Sequence, residues 1–318
     1  MHQTRNYFLL PYRLPGPGFM KVLFSLVVDD SPVFVYQGYH LVQSILRHCG
    51  GEGTAVCVNV TPGVAEATRA VFRELGCRVA GIERCERNPC CNKIAQFPNL
   101  ASEEFDLAVL LDTDTILTGD IRPWLRVAGI QAKIVDMPSP SLAALEGVAR
   151  LAGMKPLPPV VRTDSGTGET FAGNCNGGFY AIPRNLFSTV AKEWPKWLAW
   201  LFKHIEPLRA EGKERHVDQV AMWLAIKMNG LPCVHAPSNL NYYVHFNGDH
   251  LYYEPTVPVC VVHYHNKLDA MGLIAGDGGE NKVQQEAVRK ANVQIEGNIH
   301  AGIFEDFRRQ RQQGRGGA

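Results

Sequence analysis

Two carboxylates one residue apart, Asp112 and Asp114, stand directly after the apolar run Leu107 to Leu111. With Asp106 in front of it, that run predicts a strand over 106–111, buried on both faces as inside a parallel sheet. Such an interior holds no unpartnered carboxylate. Both acids therefore belong at the strand's C-terminal end, where open α/β sheets bind their ligands. Residues two apart in an extended segment point to one side, so Asp112 and Asp114 are expected to converge. Two hard oxygen donors at a sheet edge suit Mg²⁺ or Mn²⁺ bound together with substrate phosphates. The competing reading of the tripeptide is a turn with solvated acids.

Four further groups of residues carry chemical potential. In Asn176-Gly177-Gly178 the glycines permit close backbone approach, and Asn176 offers a donor and an acceptor to sugar hydroxyls; a bulge without a ligand has the same pattern. Asp218-Gln219 opens a helical pattern, where an Asp serves equally as a cap or as a catalytic charge. His263 and His265 end the apolar run 257–262, and either imidazole is a candidate metal ligand. Lys267 follows as a point charge for a phosphate. Lys93, upstream of the Asp pair, is placed to fold back over the same sheet edge.

The elements that position these residues alternate along the first half of the chain. Strands are predicted at 22–28, 55–60 and 78–82, and helices at 33–47, 64–75 and 92–100, before the strand carrying Asp112. That order implies an α/β fold, a mostly parallel mixed sheet flanked by helices. In the second half, residues 155–174 are rich in Pro, Gly, Ser and Thr and read as a long loop, a candidate lid on the acceptor side. A strand at 176–183 follows, then helices at 184–205 and 217–229. Short strands are expected at 232–235 and 257–265, with a helix at 281–295. Trp194, Trp197 and Trp200 recur at three-residue spacing near Lys192, Lys196 and Lys203. They read either as a core stripe or as a peripheral membrane or glycolipid contact.

Residues 1–19, with Pro11, Pro15 and Pro17, read as a disordered leader, and residues 301–318, with Arg308, Arg309, Arg311 and Arg315, as a basic disordered tail. Between them, 20–300 is expected to form one domain, a nucleotide-binding half over 20–120 and an acceptor and metal half over 121–300. A net charge of +1 supplies no field for nucleic acid. Nine cysteines without paired C-x-x-C spacing point to neither a disulfide framework nor a zinc site, and to a cytoplasmic setting. No apolar run is long enough for a transmembrane segment. The absence of G-x-G-x-x-G after the first strand, and of any P-loop, removes the main support for dehydrogenase and P-loop readings.

In this order (Lys93, Asp112-Thr113-Asp114, Asn176-Gly177-Gly178, Asp218-Gln219, His263) the chain resembles the metal-dependent GT-A glycosyltransferases. The resemblance is to the group containing glycogenin and the lipopolysaccharide glucosyl- and galactosyltransferases, over roughly residues 20–270. It implies a nucleotide-diphospho-sugar transferase fold and transfer of a hexose from a UDP-sugar to a glycan, lipid-linked or protein acceptor, with retention of configuration. It further implies that Leu26, Val28 and Asp29, on the opening strand, grip the nucleotide. Lys93, Asp112, Gly177, Gly178 and Lys267 would join them around the donor. Asp112, Asp114 and His263 would hold Mn²⁺ or Mg²⁺, and Asp218, Gln219 and Asn176 would serve the reaction. One departure is visible: His263-Tyr264-His265-Asn266-Lys267 lacks the Gly and Lys-Pro-Trp that usually follow the late His of that group. A nucleotidyltransferase making nucleotide-sugars, or a non-catalytic nucleotide-sugar-binding protein, would share the architecture. Asp29-Asp30-Ser31-Pro32 is not the Gly-rich basic loop of the former.

Overall fold

The computed structural model of the protein describes residues 20–245, 248–265, 267–276 and 281–313; the leader expected over 1–19 lies outside them. The chain opens as β1 (Val22–Val28), α1 (Pro32–Cys49), β2 (Thr54–Val60), α2 (Glu66–Glu74) and β3 (Arg78–Gly81). A 3₁₀ segment, Pro89–Gln96, runs into α3 (Phe97–Ala101), and β4 (Leu107–Leu111) and β5 (Thr115–Leu117) follow. Next come β6 (Ile130–Ile134), α4 (Leu142–Leu151), β7 (Val160–Arg162), β8 (Glu169–Phe171) and β9 (Cys175–Pro183). The remainder comprises α5 (Arg184–Lys203), α6 (Glu206–Arg209), α7 (Val217–Met228), β10 (Cys233–His235), β11 (Tyr242–Tyr243), β12 (Val261–His263), α8 (Lys282–Glu296) and α9 (Ala301–Gln313).

Among the described residues the main sheet has seven strands in the order β10-β6-β9-β4-β1-β2-β3. Only β9 runs antiparallel to its neighbours, β4 and β6. Alternation along the strands divides the core between the two faces. Val22, Phe24, Leu26 and Val28 of β1, with Leu107, Val109 and Leu111 of β4, join the side chains of α1, α8 and α9. Leu23 of β1, with Ala108 and Leu110 of β4, joins those of α5 and α7. The helix α7 is apolar around most of its circumference, and every residue from Val217 to Ile226 is buried. A helix hydrophobic all round belongs inside a layered fold, and α7 packs against both β9 and α5. Trp194 is fully buried there, while Trp197 and Trp200 meet edge to face and pack against the same cluster. The tryptophan stripe is thus core packing.

A second sheet, β11-β12-β5, stands at the end of β4. It is the element that gathers the acidic residues and histidines, because β5 begins three residues after Asp112 and pairs antiparallel with β12, opposing Thr115 to His263.

Three expectations change. Residues 155–174 are not a structureless loop: β7 and β8 form a hairpin. Its polar residues Thr163, Asp164, Thr170 and Asn174 are fully buried, and Asp164 reaches the equally buried Lys133 of β6 at 2.6 Å. A segment tied down by an internal ion pair is a fixed element, so the expected lid is corrected to an anchored hairpin. The basic tail is also not disordered across 301–313. In α9, Phe307 stacks on Tyr36 of α1 with ring centroids 4.4 Å apart, and Ile303 is buried beside it. Arg308 and Arg309 are exposed on the outer face, while Arg311 is half-buried and donates to the Leu268 carbonyl. Finally, the strand expected over 257–265 is hydrogen-bonded as a strand only at Val261–His263.

Candidate functional site

At the C-terminal end of β4 the chain turns at once. The backbone N–H and the hydroxyl of Thr115 both donate to the Asp112 carbonyl, at 3.1 and 2.7 Å. Asp112 and Asp114 therefore project from a tight turn, not from an extended segment, and they reach different partners. The Lys93 ammonium lies 2.7 Å from Asp112 Oδ1 and 3.3 Å from Asp218 Oδ2, and donates to the Gly177 carbonyl at 3.1 Å. His263 Nε2 lies 3.3 Å from Asp114 Oδ1. Lys93, Asp112, Asp114, Asp218, Gly177 and His263 thus lie together at one end of the sheet.

The glycines have a specific role here. A Cβ on Gly177 would stand 2.8 Å from the Lys93 ammonium, and one on Gly178 would stand 2.5 Å from His263 Cε1. A side chain at Gly178 would displace the His263 ring, and one at Gly177 would push the Lys93 ammonium from its present place. Asn176 Oδ1 accepts from the Gly178 N–H at 2.8 Å and from Asn241 Nδ2 at 3.1 Å. Since Asn241 spends its amide nitrogen on Asn176, its oxygen faces His263 Nδ1 at 2.9 Å and accepts from it. In the neutral ring the proton then sits on Nδ1, leaving the Nε2 lone pair toward Asp114, the arrangement of a histidine ligand with an outer-shell partner. His265 does not share this geometry. Its backbone is left-handed (φ 46), and its ring stacks on that of His263 at 3.8 Å. Of the two histidines, His263 is the one presented to the Asp pair.

Electrostatics separates the groups. Burial opposes charge on Lys93, yet Asp112 and Asp218 outweigh it and hold its ammonium well above the ordinary lysine value. Burial raises Asp112 above the ordinary carboxyl value even with Lys93 beside it, and the charge of Asp114 adds to the shift. At Asp114 burial is outweighed by the attraction and hydrogen bond that His263 gives when its Nε2 carries a proton, and the carboxyl then stays well below the usual range; with that proton gone, Nε2 turns its lone pair to the same place. Two carboxylates of opposite tendency, one imidazole and one fixed ammonium make a set whose chemistry would suit a hard divalent cation together with a polyanion. Asp114 and His263 are the donors such a cation would meet first, while Asp112 is held by Lys93 and would have to leave it to join them.

The structure places the remaining expected residues as follows. Asp218 is 4% exposed and lies in the first turn of α7, with no side-chain capping hydrogen bond at that helix end; its carboxylate faces Lys93. Gln219 is buried beside it, and its Nε2 finds no hydrogen-bond partner among the described residues. Asp29, where β1 leaves the sheet, accepts from Thr61 Oγ1 at 2.8 Å and Asn92 Nδ2 at 3.3 Å and pairs with Arg84. These donors outweigh burial and hold its carboxyl below the ordinary value. Leu26 and Val28 are fully buried in the core. Their side chains are therefore committed to packing, and any contact with a nucleotide would come from their backbone, with Asp29 following at the strand's end. Lys267 is exposed in the turn after β12, where its N–H donates to the Tyr264 carbonyl at 2.8 Å.

Several contributors were missed from sequence. Asn241, which orients His263, lies in an irregular stretch with no motif of its own. Behind it, the Lys133 ammonium sits 3.3 Å over the Tyr243 ring, and Tyr243 lies against both His263 and His265. His250 Nδ1 and Ser238 Oγ complete the shell of Asp164, each at 2.6 Å. A lysine inside an apolar strand such as Ile130-Gln-Ala-Lys-Ile134 is the one signal that could have pointed to this network, because a buried ammonium demands a partner.

Comparison with solved structures agrees with this architecture. The galactosyltransferase LgtC, crystallised with donor and acceptor sugar analogs, superposes with a TM-score of 0.52 at 14% identity, covering 89% of this chain and 99% of that one. An active-site glutamine-to-glutamate mutant of LgtC gives 0.52 at 14% identity, with 88% and 98% covered. The glycosyltransferase GlyE of Streptococcus pneumoniae TIGR4 gives 0.50 at 13% identity, with 88% and 63% covered. No family model and no curated protein matches the sequence. At these identities the likeness establishes the fold: the chain has the GT-A architecture, with a mostly parallel mixed sheet between helices.

Proposed function

We propose that the protein is a glycosyltransferase that moves a hexose from a UDP-sugar to an acceptor, using Mn²⁺ or Mg²⁺ held by Asp112, Asp114 and His263. The observation that carries this reading is the directed His263 Nε2, 3.3 Å from Asp114 and oriented by Asn241, at the ligand-binding edge of a GT-A sheet. A divalent ion bound there supplies Lewis-acid stabilisation of the departing diphosphate. At ~4 Å and an effective dielectric of ~20, one unit charge pair contributes about 4 kcal/mol, close to three decades of rate. A neutral hydrogen bond, at about 1 kcal/mol net, is no substitute.

The chain's own residues divide the remaining work. Lys93 is a fixed cation beside Asp112 and Asp218, and it would compensate the phosphates of the donor. Asp29 and Arg84 stand where β1 leaves the sheet and would meet the nucleoside. Asp218 offers a buried negative charge to the donor sugar. The unpartnered Gln219 amide and Asn176 offer hydrogen bonds to its hydroxyls. Lys267 is the exposed cation on the β12 side.

The reading is tested by isothermal titration against a panel of nucleotide-sugars with and without Mn²⁺. A UDP-hexose should bind at least ten-fold more tightly with Mn²⁺. Equal affinity in both conditions, or no preference for uridine donors, would overturn it.

A further inference from the structure

Away from the Asp-His edge, two thiols and an imidazole converge on one face of the main sheet. Cys233 and His235 lie two apart on β10 and therefore point the same way, opposite Ile130 and Ala132 of β6. On the other side of β6, Ala132 pairs with Tyr180 and, past a bulge, Ile134 pairs with Cys175 of β9. Paired residues share a face, so Cys175, Cys233 and His235 flank the short side chain of Ala132 from two strands. Their ligand atoms all lie within 4.8 Å of one another. All three side chains remain in the uncombined state, with no disulfide at either cysteine. Cys175 is buried, Cys233 half-buried and His235 exposed, which leaves an open side for a solute to arrive.

We propose that Cys175, Cys233 and His235 form a binding site for a soft divalent cation of the Zn²⁺ class, separate from the hard-cation site at Asp114. Thiolate and imidazole select borderline-soft metals over Mg²⁺ and Mn²⁺. Tetrahedral ligands at ~2.0–2.3 Å from zinc stand about 3.4–3.8 Å apart, so small side-chain rotations close the trio. A fourth position remains for water. Binding would displace the thiol protons to solvent.

Lys227 of α7 is the charged group facing the trio, and two thiolates with a neutral imidazole cancel the charge of the cation, so its ammonium is not opposed to binding. The site would tie β10, an edge strand paired over only three residues, across β6 to β9. It does not rest on the glycosyltransferase reading.

Cobalt substitution tests this on the full chain, reduced and freed of metal. Titration with Co²⁺ should give one thiolate-to-metal charge-transfer band at one equivalent, displaced by Zn²⁺ and retained in Asp114→Asn. Cys233→Ser should abolish the band, and the exposed, fold-neutral change His235→Ala should weaken Co²⁺ binding at least ten-fold. Cys175→Ser, at a buried position, is a supporting variant only. Absence of the band in wild type, its persistence in Cys233→Ser, or unchanged affinity in His235→Ala would overturn the proposal. So would recovery of a Cys175–Cys233 disulfide that excludes Co²⁺ under the same reduced conditions.

Discussion

At His263 the nitrogen that faces Asp114 is selected on the opposite side of the ring, by the bond from Nδ1 to Asn241. Outer-shell partners of this kind typically control metal affinity by 10–100-fold. Asn241→Ala should therefore weaken Mn²⁺ binding by about that factor while leaving the fold intact, measured by titration with circular dichroism as the control. Unchanged affinity would mean that His263 is not a ligand. Asp218 poses a second question. Loss of a simple helix cap costs about 1 kcal/mol of stability and spares chemistry, but Asp218 lies within the first turn of α7, past the N-cap residue His216, and its carboxylate turns to Lys93. Asp218→Asn should keep the fold and UDP affinity while turnover falls by orders of magnitude, because the lost charge acts mainly in the transition state. A lower melting temperature with near-normal kcat would return Asp218 to a structural role. Asp112, Asp114, Asp218 and His263 were legible in the sequence because each stands where an apolar run ends or a helical pattern begins. Asn241 was not, since a lone Asn in an irregular stretch acquires meaning only when β11 lies beside β12.

Among the elements, the hairpin of β7 and β8 is the one whose composition misled. Pro, Gly, Ser and Thr over 155–174 predict a mobile lid, yet Asp164 at its centre is held by Lys133, His250 and Ser238. Burial at Asp164 is outweighed by Lys133 and His250, so its carboxyl lies well below the usual range. A depressed carboxyl contributes stability that is present above its unfolded value and lost as pH falls through the folded one. Below about pH 4 the wild-type protein should lose stability in step with Asp164 protonation, and Asp164→Asn should flatten that slope. Removing one partner of a buried pair costs about 3–5 kcal/mol, so Asp164→Asn should also lower the urea midpoint at neutral pH. An unchanged midpoint would show that the hairpin is not anchored there. The same lesson applies to α9. Its Arg and Gln residues read as a solvated end, but Ile303 and Phe307 are one helical turn apart and bury a stripe against α1. Charge on the outer face concealed a short apolar pattern.

For the molecule as a whole, the sheet order is what makes separate motifs into one site. Strands β4, β1 and β2 run parallel and bring Asp112 and Asp29 to the same edge, while β9 enters antiparallel and delivers Asn176 and the two glycines there. The alternating first half made this architecture legible. The antiparallel insertion of β9 and the small sheet β11-β12-β5 were not legible, because their pairing joins residues far apart in sequence. Among the described residues no helix is long and apolar enough to cross a membrane. Sugar transfer at this edge, as proposed, depends on a divalent cation at Asp112, Asp114 and His263. The most direct measurement is UDP release from a UDP-hexose in Mn²⁺ and in excess EDTA, for wild type and Asp114→Asn. Activity in Mn²⁺ that is lost in EDTA, restored by added Mn²⁺ and severely reduced in Asp114→Asn is the predicted result; full activity in EDTA would contradict it.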